Sequence, residues 1–132
     1  MEIWSYSGTA MRDTDVIVIR LPPFDTGCYE GSEFLMSGGD ATLTIHVAEM
    51  QPIEINFSRV RWHQFTALYN CAVEQIEGAY FAVAEIPNSN PLATFIANDR
   101  AVAKAYRELH HYRIFLDETG CHEFYAERCA LA

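Results

Sequence analysis

The sequence predicts an α+β fold: mainly antiparallel sheet with one or two helices and a C-terminal β-hairpin. Three observations predict it. Residues 41–48 and 53–62 alternate apolar and polar side chains with period two, the pattern of strands with one wet face. Residues 91–109 carry apolar side chains at helical spacing. Residues 112–116 and 121–126 flank Asp117-Glu118-Thr119-Gly120, a loop suited to a tight turn. The chain has 132 residues and is 50% hydrophobic, enough apolar side chain for one core without staples. It reads as a single α+β domain over residues 1–132.

In chain order, residues 2–7 form a weak strand ending at Gly8. Residues 15–21 are a β-branched run, too short for a helix and stopped by Pro22-Pro23, which reads as a buried strand. Four glycines within residues 24–40 read as loop, with one short strand inside. Residues 41–48 and 53–62 pair as a hairpin, with Arg59, Arg61 and His63 continuing the polar face. Phe65, Leu68, Tyr69, Ala72, Val73 and Ile76 predict a short amphipathic helix over 64–78, ended by Gly78. Residues 79–86 predict a strand stopped by Pro87. Asn90-Pro91 predicts a helix start, Asn90 capping, for one broken helix or two over 91–109. In the final hairpin, opposing residue 117 with 121 puts Tyr112, Ile114, Leu116, Phe124 and Ala126 on one face. Arg113, Phe115, Glu123 and Tyr125 fall on the other, half-wet face. Gly120 takes the left-handed position of the turn.

Formal net charge is −9, which favours a basic protein partner and disfavours nucleic acid and anionic membrane. No apolar stretch is long enough to span a bilayer. The chain begins Met1-Glu2-Ile3-Trp4, without a basic segment or a long apolar run, so the expectation is a cytoplasmic protein with no signal peptide. Its four cysteines are then reduced, and they read as small core hydrophobes.

Candidate chemistry is sparse. His110, His111, Cys121 and His122 bracket the hairpin, but their spacing matches no zinc site, and the expectation is no metal and no cofactor. Cys71 with His63 is a nucleophile–base candidate, against which stands a buried inert thiol. Asp117, Glu118 and Glu123 read as solvated acids of a turn and its strand rather than an acid–base pair. Trp62, His63, Tyr69 and Asn70 concentrate side-chain types that interfaces favour. With Glu118 and Glu123 as surface acids, they form the candidate binding set.

The segments Ile55-Asn56-Phe57-Ser58-Arg59-Val60-Arg61, Ile86-Pro87-Asn88-Ser89, and the hairpin from His111 to Glu127 resemble a group of small bacterial proteins of unknown function. Some proteins similar in style are immunity-like partners of secreted toxins. The resemblance covers roughly residues 41–128 and carries no catalytic residue onto this chain. It implies a non-catalytic binding protein that neutralises a basic partner. The alternative expectation is a small enzyme or ligand-binding domain with a pocket between sheet and helix.

Overall fold

The computed structural model describes residues 15–99 and 108–132. The protein is α+β, and the described residues form two antiparallel sheets, two α-helices and a C-terminal hairpin. The strands are β1 (Val16–Arg20), β2 (Tyr29–Ser37), β3 (Asp40–Val47), β4 (Ile53–Ser58), β5 (Trp62–Ala67), β6 (Ala82–Glu85), β7 (His110–Leu116), β8 (Gly120–Ala126) and β9 (Arg128–Leu131). The helices are α1 (Val73–Glu77) and α2 (Asn90–Asn98). One sheet has the order β9-β4-β3-β2 and the other β1-β6-β7-β8-β5.

Alternation dictates how the layers stack. Leu43, Ile45, Ile55 and Phe57 of the four-stranded sheet meet Val83, Tyr112, Ile114, Leu116, Phe124 and Ala126 of the five-stranded sheet in the main core. The Phe57 and Phe124 rings stack with centroids 3.9 Å apart. Thr42, Thr44 and Glu54 point the other way, into solvent or part exposed. The far face of the five-stranded sheet is also covered. Ala79, Ala84, Phe115 and Cys121 form a second core there, with Leu68, Cys71 and Ile76 packed against it. The face expected to be half-wet is therefore a buried layer.

Several elements differ from expectation, each for a physical reason. The run 15–21 is an edge strand with Val16 and Val18 exposed, not a buried one. A register shift between Ile17 and Ile19 turns Ile17 toward the second core and Ile19 toward the first, so the unbroken apolar run serves two faces. Residues 29–37 form the longest strand rather than a loop. Of its glycines, Gly31 sits at a bulge, and Gly38 and Gly39 make the turn into β3, all with positive φ. Residues 64–67, where a helix was expected, are strand and continue Trp62 and His63. Pairing with β8 prevails, and the helical pattern survives only as a 3-10 turn at Leu68–Asn70 and the five-residue α1. Arg59 adopts φ 56° and ends β4, so Val60 and Arg61 do not extend it. Helix α2 is capped by Ser89, not Asn90: the Ser89 hydroxyl accepts from the Leu92 N–H at 3.1 Å. Strand β9, which pairs with β4, had no counterpart in the sequence reading. The expected strand at 2–7 and the expected helix over 100–107 lie outside the described residues, while residues 108 and 109, expected at its end, are not helical.

The hairpin register is offset by two residues from expectation, with Leu116 opposite Gly120 and Arg113 opposite Glu123. An even offset keeps every side chain on its face, so the expected division of residues between faces holds. Gly120 has φ 144°, and a Cβ built there would collide with the Thr66 carbonyl oxygen of β5. Gly120→Val should therefore lower stability by about 2 kcal/mol or more, through both backbone strain and loss of close β5–β8 approach. A melting midpoint in the variant equal to that of the parent would refute this.

Candidate functional site

The β5 edge and the turns beside it carry most of the exposed candidates. Among the described residues β5 has β8 on one side and no strand on the other. The Leu68 N–H bonds to the Thr119 carbonyl at 3.2 Å, which sets the 3-10 turn against the hairpin turn. Tyr69 on that turn is 96% exposed, and Phe65 on the strand is 45% exposed. Asn70 and Glu118 are exposed beside them. The aromatic surface continues inward. His63 stacks on Phe34 of β2 at 4.2 Å, and its Nε2 lies 3.1 Å from His122 Nδ1. Burial lowers the pKa of His63, and burial with the neighbouring His63 lowers that of His122 to about 4.

The candidate binding set therefore divides. His63, Tyr69, Asn70 and Glu118 lie along this edge. Trp62 lies on the opposite face of β5, stacked on Tyr125 at 4.2 Å, with Phe95 of α2 against the same tyrosine. Glu123 is not a surface acid: it is 7% exposed, beneath the helices. Alternation explains both, since residues 62 and 123 share the helix-side face with 113 and 125.

Glu123 is the centre of a polar network that no motif announced. Its Oε1 accepts from His111 Nε2 at 2.7 Å and from an Arg113 terminal nitrogen at 3.4 Å. Its Oε2 accepts from Gln75 Nε2 at 2.8 Å. Burial pushes this carboxyl upward, but the His111 bond, the Arg113 charge and the Gln75 bond outweigh it and hold the pKa down to about 2. Gln75, the third residue of α1, also accepts from the Ala72 N–H at 2.8 Å, so one side chain caps the helix and pins it to the sheet. Beyond His111, Nδ1 lies 2.7 Å from the Ser89 hydroxyl. Ser89 and His111 line two adjoining clefts of about 280 and 310 Å³. The sequence clue was available: β7 alternates His111 and Arg113 on one face, opposite Glu123.

The other candidates do not assemble. His111, Cys121 and His122 are divided between the two faces of the sheet, and His110 pairs with Glu85 at 2.7 Å. Among the described residues no three His, Cys, Asp or Glu side chains converge on a possible ion position. Cys71 and His63 lie on opposite sides of the sheet, and the Cys71 thiol donates to the Thr66 carbonyl at 3.4 Å. Burial raises its pKa, away from a reactive thiolate. All four cysteines are free, Cys28 exposed and Cys121 buried. Among the described residues no helix is long and apolar enough to cross a membrane.

No family model matches the chain, and no curated protein or solved structure matches it.

Two measurements follow from these buried ionisable groups. Glu123→Ala leaves Arg113 without its carboxylate and should cost about 3–5 kcal/mol, the range for breaking a buried charge pair; a variant that unfolds at the parent's denaturant midpoint would overturn the assignment. For His122 the folded state disfavours the proton. Stability should be complete above the unfolded value near 6.5 and fall, by on the order of 3 kcal/mol, as pH drops toward 4. The Glu123 contribution is lost lower, between about 4.5 and 2. Thermal melts of His122→Leu should show a flattened slope between pH 6.5 and 4, with the lower limb kept.

Proposed function

We propose that this protein is a binding protein that takes a basic protein partner along the β5 edge and its adjoining turns, in the manner of the immunity-like proteins it resembles. The observation that carries the reading is Tyr69, 96% exposed on a turn at the end of an edge strand. A tyrosine in that position gives up most of its apolar area to water, and tyrosine is among the side chains that dominate interface energetics. Phe65 and Asn70 extend the surface, and the unpaired backbone groups of β5 offer hydrogen bonds to an extended segment of a partner. The charge of −9 supports the choice of a basic partner, because a negative field raises the encounter rate with it. Glu118, exposed at the rim, contributes to that field next to Tyr69.

The test is affinity capture from the native host followed by binding kinetics with the purified partner. Tyr69→Ala should weaken binding by roughly 2 kcal/mol, about thirtyfold, mainly through a faster off-rate. Glu118→Lys should slow association, and so should added salt, as the Debye length shrinks from about 10 Å at 0.1 M. Both substitutions should leave the melting temperature within about 2 °C of the parent, because neither side chain is buried. A captured partner whose affinity ignores Tyr69, and whose association rate ignores salt and Glu118, would overturn the proposal.

A further inference from the structure

The Ser89 cleft lies away from the β5 edge, and its geometry carries a separate inference. Helix α2 needs an oxygen at its N-cap, and Ser89 supplies one by accepting from the Leu92 N–H. That bond uses a lone pair of the hydroxyl and leaves its proton unassigned. The nearest acceptor is His111 Nδ1 at 2.7 Å. The other ring nitrogen faces the Glu123 carboxylate at 2.7 Å, so it must carry the ring proton and donate it. With His111 neutral, the proton order along the chain is Ser89 donating to His111 and His111 donating to Glu123. Helix capping needs none of this. A hydroxyl on a base that is held in one tautomer by a buried carboxylate is the arrangement that activates a serine nucleophile. Here Nδ1 rather than Nε2 meets the serine, but each group has the required role.

The surroundings fit a small acyl substrate. Ser89 and His111 stand between the two clefts. On one side Leu92, Ala93, Ile96 and Leu109 give an apolar wall for an acyl chain. On the other, Asn90, Arg113 and the acids Asp15 and Glu74 give polar groups toward a leaving group, set among Ile86 and Pro87. In the first turn of α2, Pro91 has no N–H and that of Leu92 bonds the Ser89 hydroxyl, which leaves the Asn90 N–H, next to Ser89 in the chain, as the backbone donor for negative charge that develops on a carbonyl oxygen.

We propose that Ser89 is an acylatable nucleophile that hydrolyses small carboxylic esters, with His111 as general base and Glu123 as the residue that orients it. The Ser89 oxygen bonds to the ester carbonyl carbon as its proton passes to His111 Nδ1. The bond from that carbon to the alkoxy oxygen then breaks, and the departing alcohol leaves with its electron pair and the proton from His111. Water attacks the acyl-serine, giving a proton to Nδ1. The serine oxygen departs, takes that proton back, and the carboxylic acid is released.

The experiment uses the folded protein with two probes, a fluorophosphonate and p-nitrophenyl acetate. The expected result is one fluorophosphonate adduct, mapped by peptide mass spectrometry to Ser89, and release of p-nitrophenol above the buffer rate. Ser89→Asn keeps a good N-cap, so it should melt near the parent temperature yet lose adduct and hydrolysis. His111→Gln should slow both reactions at least a hundredfold. The adduct mapped to Ser89, and its loss in Ser89→Asn at an unchanged melting temperature, is a readout that a purely structural serine does not give. An unlabelled Ser89 in the folded parent, an adduct mapped to another residue, or hydrolysis unchanged in Ser89→Asn would each overturn the proposal. Should Ser89→Asn fail to fold, the mapped adduct on the parent decides alone.

Discussion

A carboxylate taken out of water must be matched by donors, and in this protein the Glu123 carboxylate imposes that demand on four elements at once. It stands on β8, draws His111 and Arg113 from β7, Gln75 from α1 and, through His111, Ser89 at the start of α2. Gln75 fixes α1, and Ser89 the start of α2, relative to the sheet. Helix α1 has five residues, too short to persist by its own hydrogen bonds. It holds because Gln75 bonds forward to Glu123 and back to the Ala72 N–H, while Arg113 bonds the Glu74 carbonyl at 2.9 Å. A buried ion pair of this kind adds little net stability over an apolar replacement, but removing one partner is costly. Its effect here is to specify where the helical layer sits. The Arg113 Nε is buried without a hydrogen-bond partner among the described residues, so the satisfaction of this network is uneven.

The apolar layers needed no such specification, and they were the legible part of the sequence. Leu43, Ile45 and Val47 against Thr42, Thr44 and His46, and Ile53, Ile55 and Phe57 against Glu54 and Asn56, state both the strand and its buried face. The hairpin faces came through a register offset of two because side-chain direction has period two. Legibility failed where one run serves two neighbours. Residues 62–67 carry partners on both faces of β5, Trp62 against Tyr125 and His63 against Phe34, so no clean alternation of apolar and polar remains. Phe65, Leu68 and Tyr69 then coincide with helical spacing although Tyr69 is almost fully exposed. Glycine-rich 27–39 failed for a different reason, since a bulge and a turn use glycine as readily as a loop does.

The functional residues divide along the same line. Tyr69, Asn70 and Glu118 stand out by residue type, and they remain outside in the structure. Glu123 stands out as an acid near a turn, and the structure places it inside, because one position along a strand separates water from interior. Ser89 and His111 were invisible as a pair: 22 residues apart, they meet only because α2 begins over the end of β7. Sequence patterning reports which face a residue takes. It does not report what the next layer brings onto that face, and a polar network is made of such cross-layer pairs.

The hairpin β7–β8 links the two proposed sites and also keeps them apart. The turn at 117–119 presents Glu118 beside Tyr69, while His111 lies at the other end of β7 beside Ser89. Six paired positions, from His111 to Leu116, run between the two. Packed sheet of this kind does not deform continuously, so occupation of one end has no evident small motion by which to disturb the other. The fold and the cleft are not independent in the same way. The bond that fixes the His111 tautomer is also a bond that seats the helical layer, so a change at Glu123 alters proton placement and stability together. Ser89 differs, because its cap bond and its proton are separate hydrogen bonds on one oxygen. An amide oxygen reproduces the first without supplying a nucleophile. Chemistry and folding therefore separate at Ser89, and they cannot be separated at Glu123.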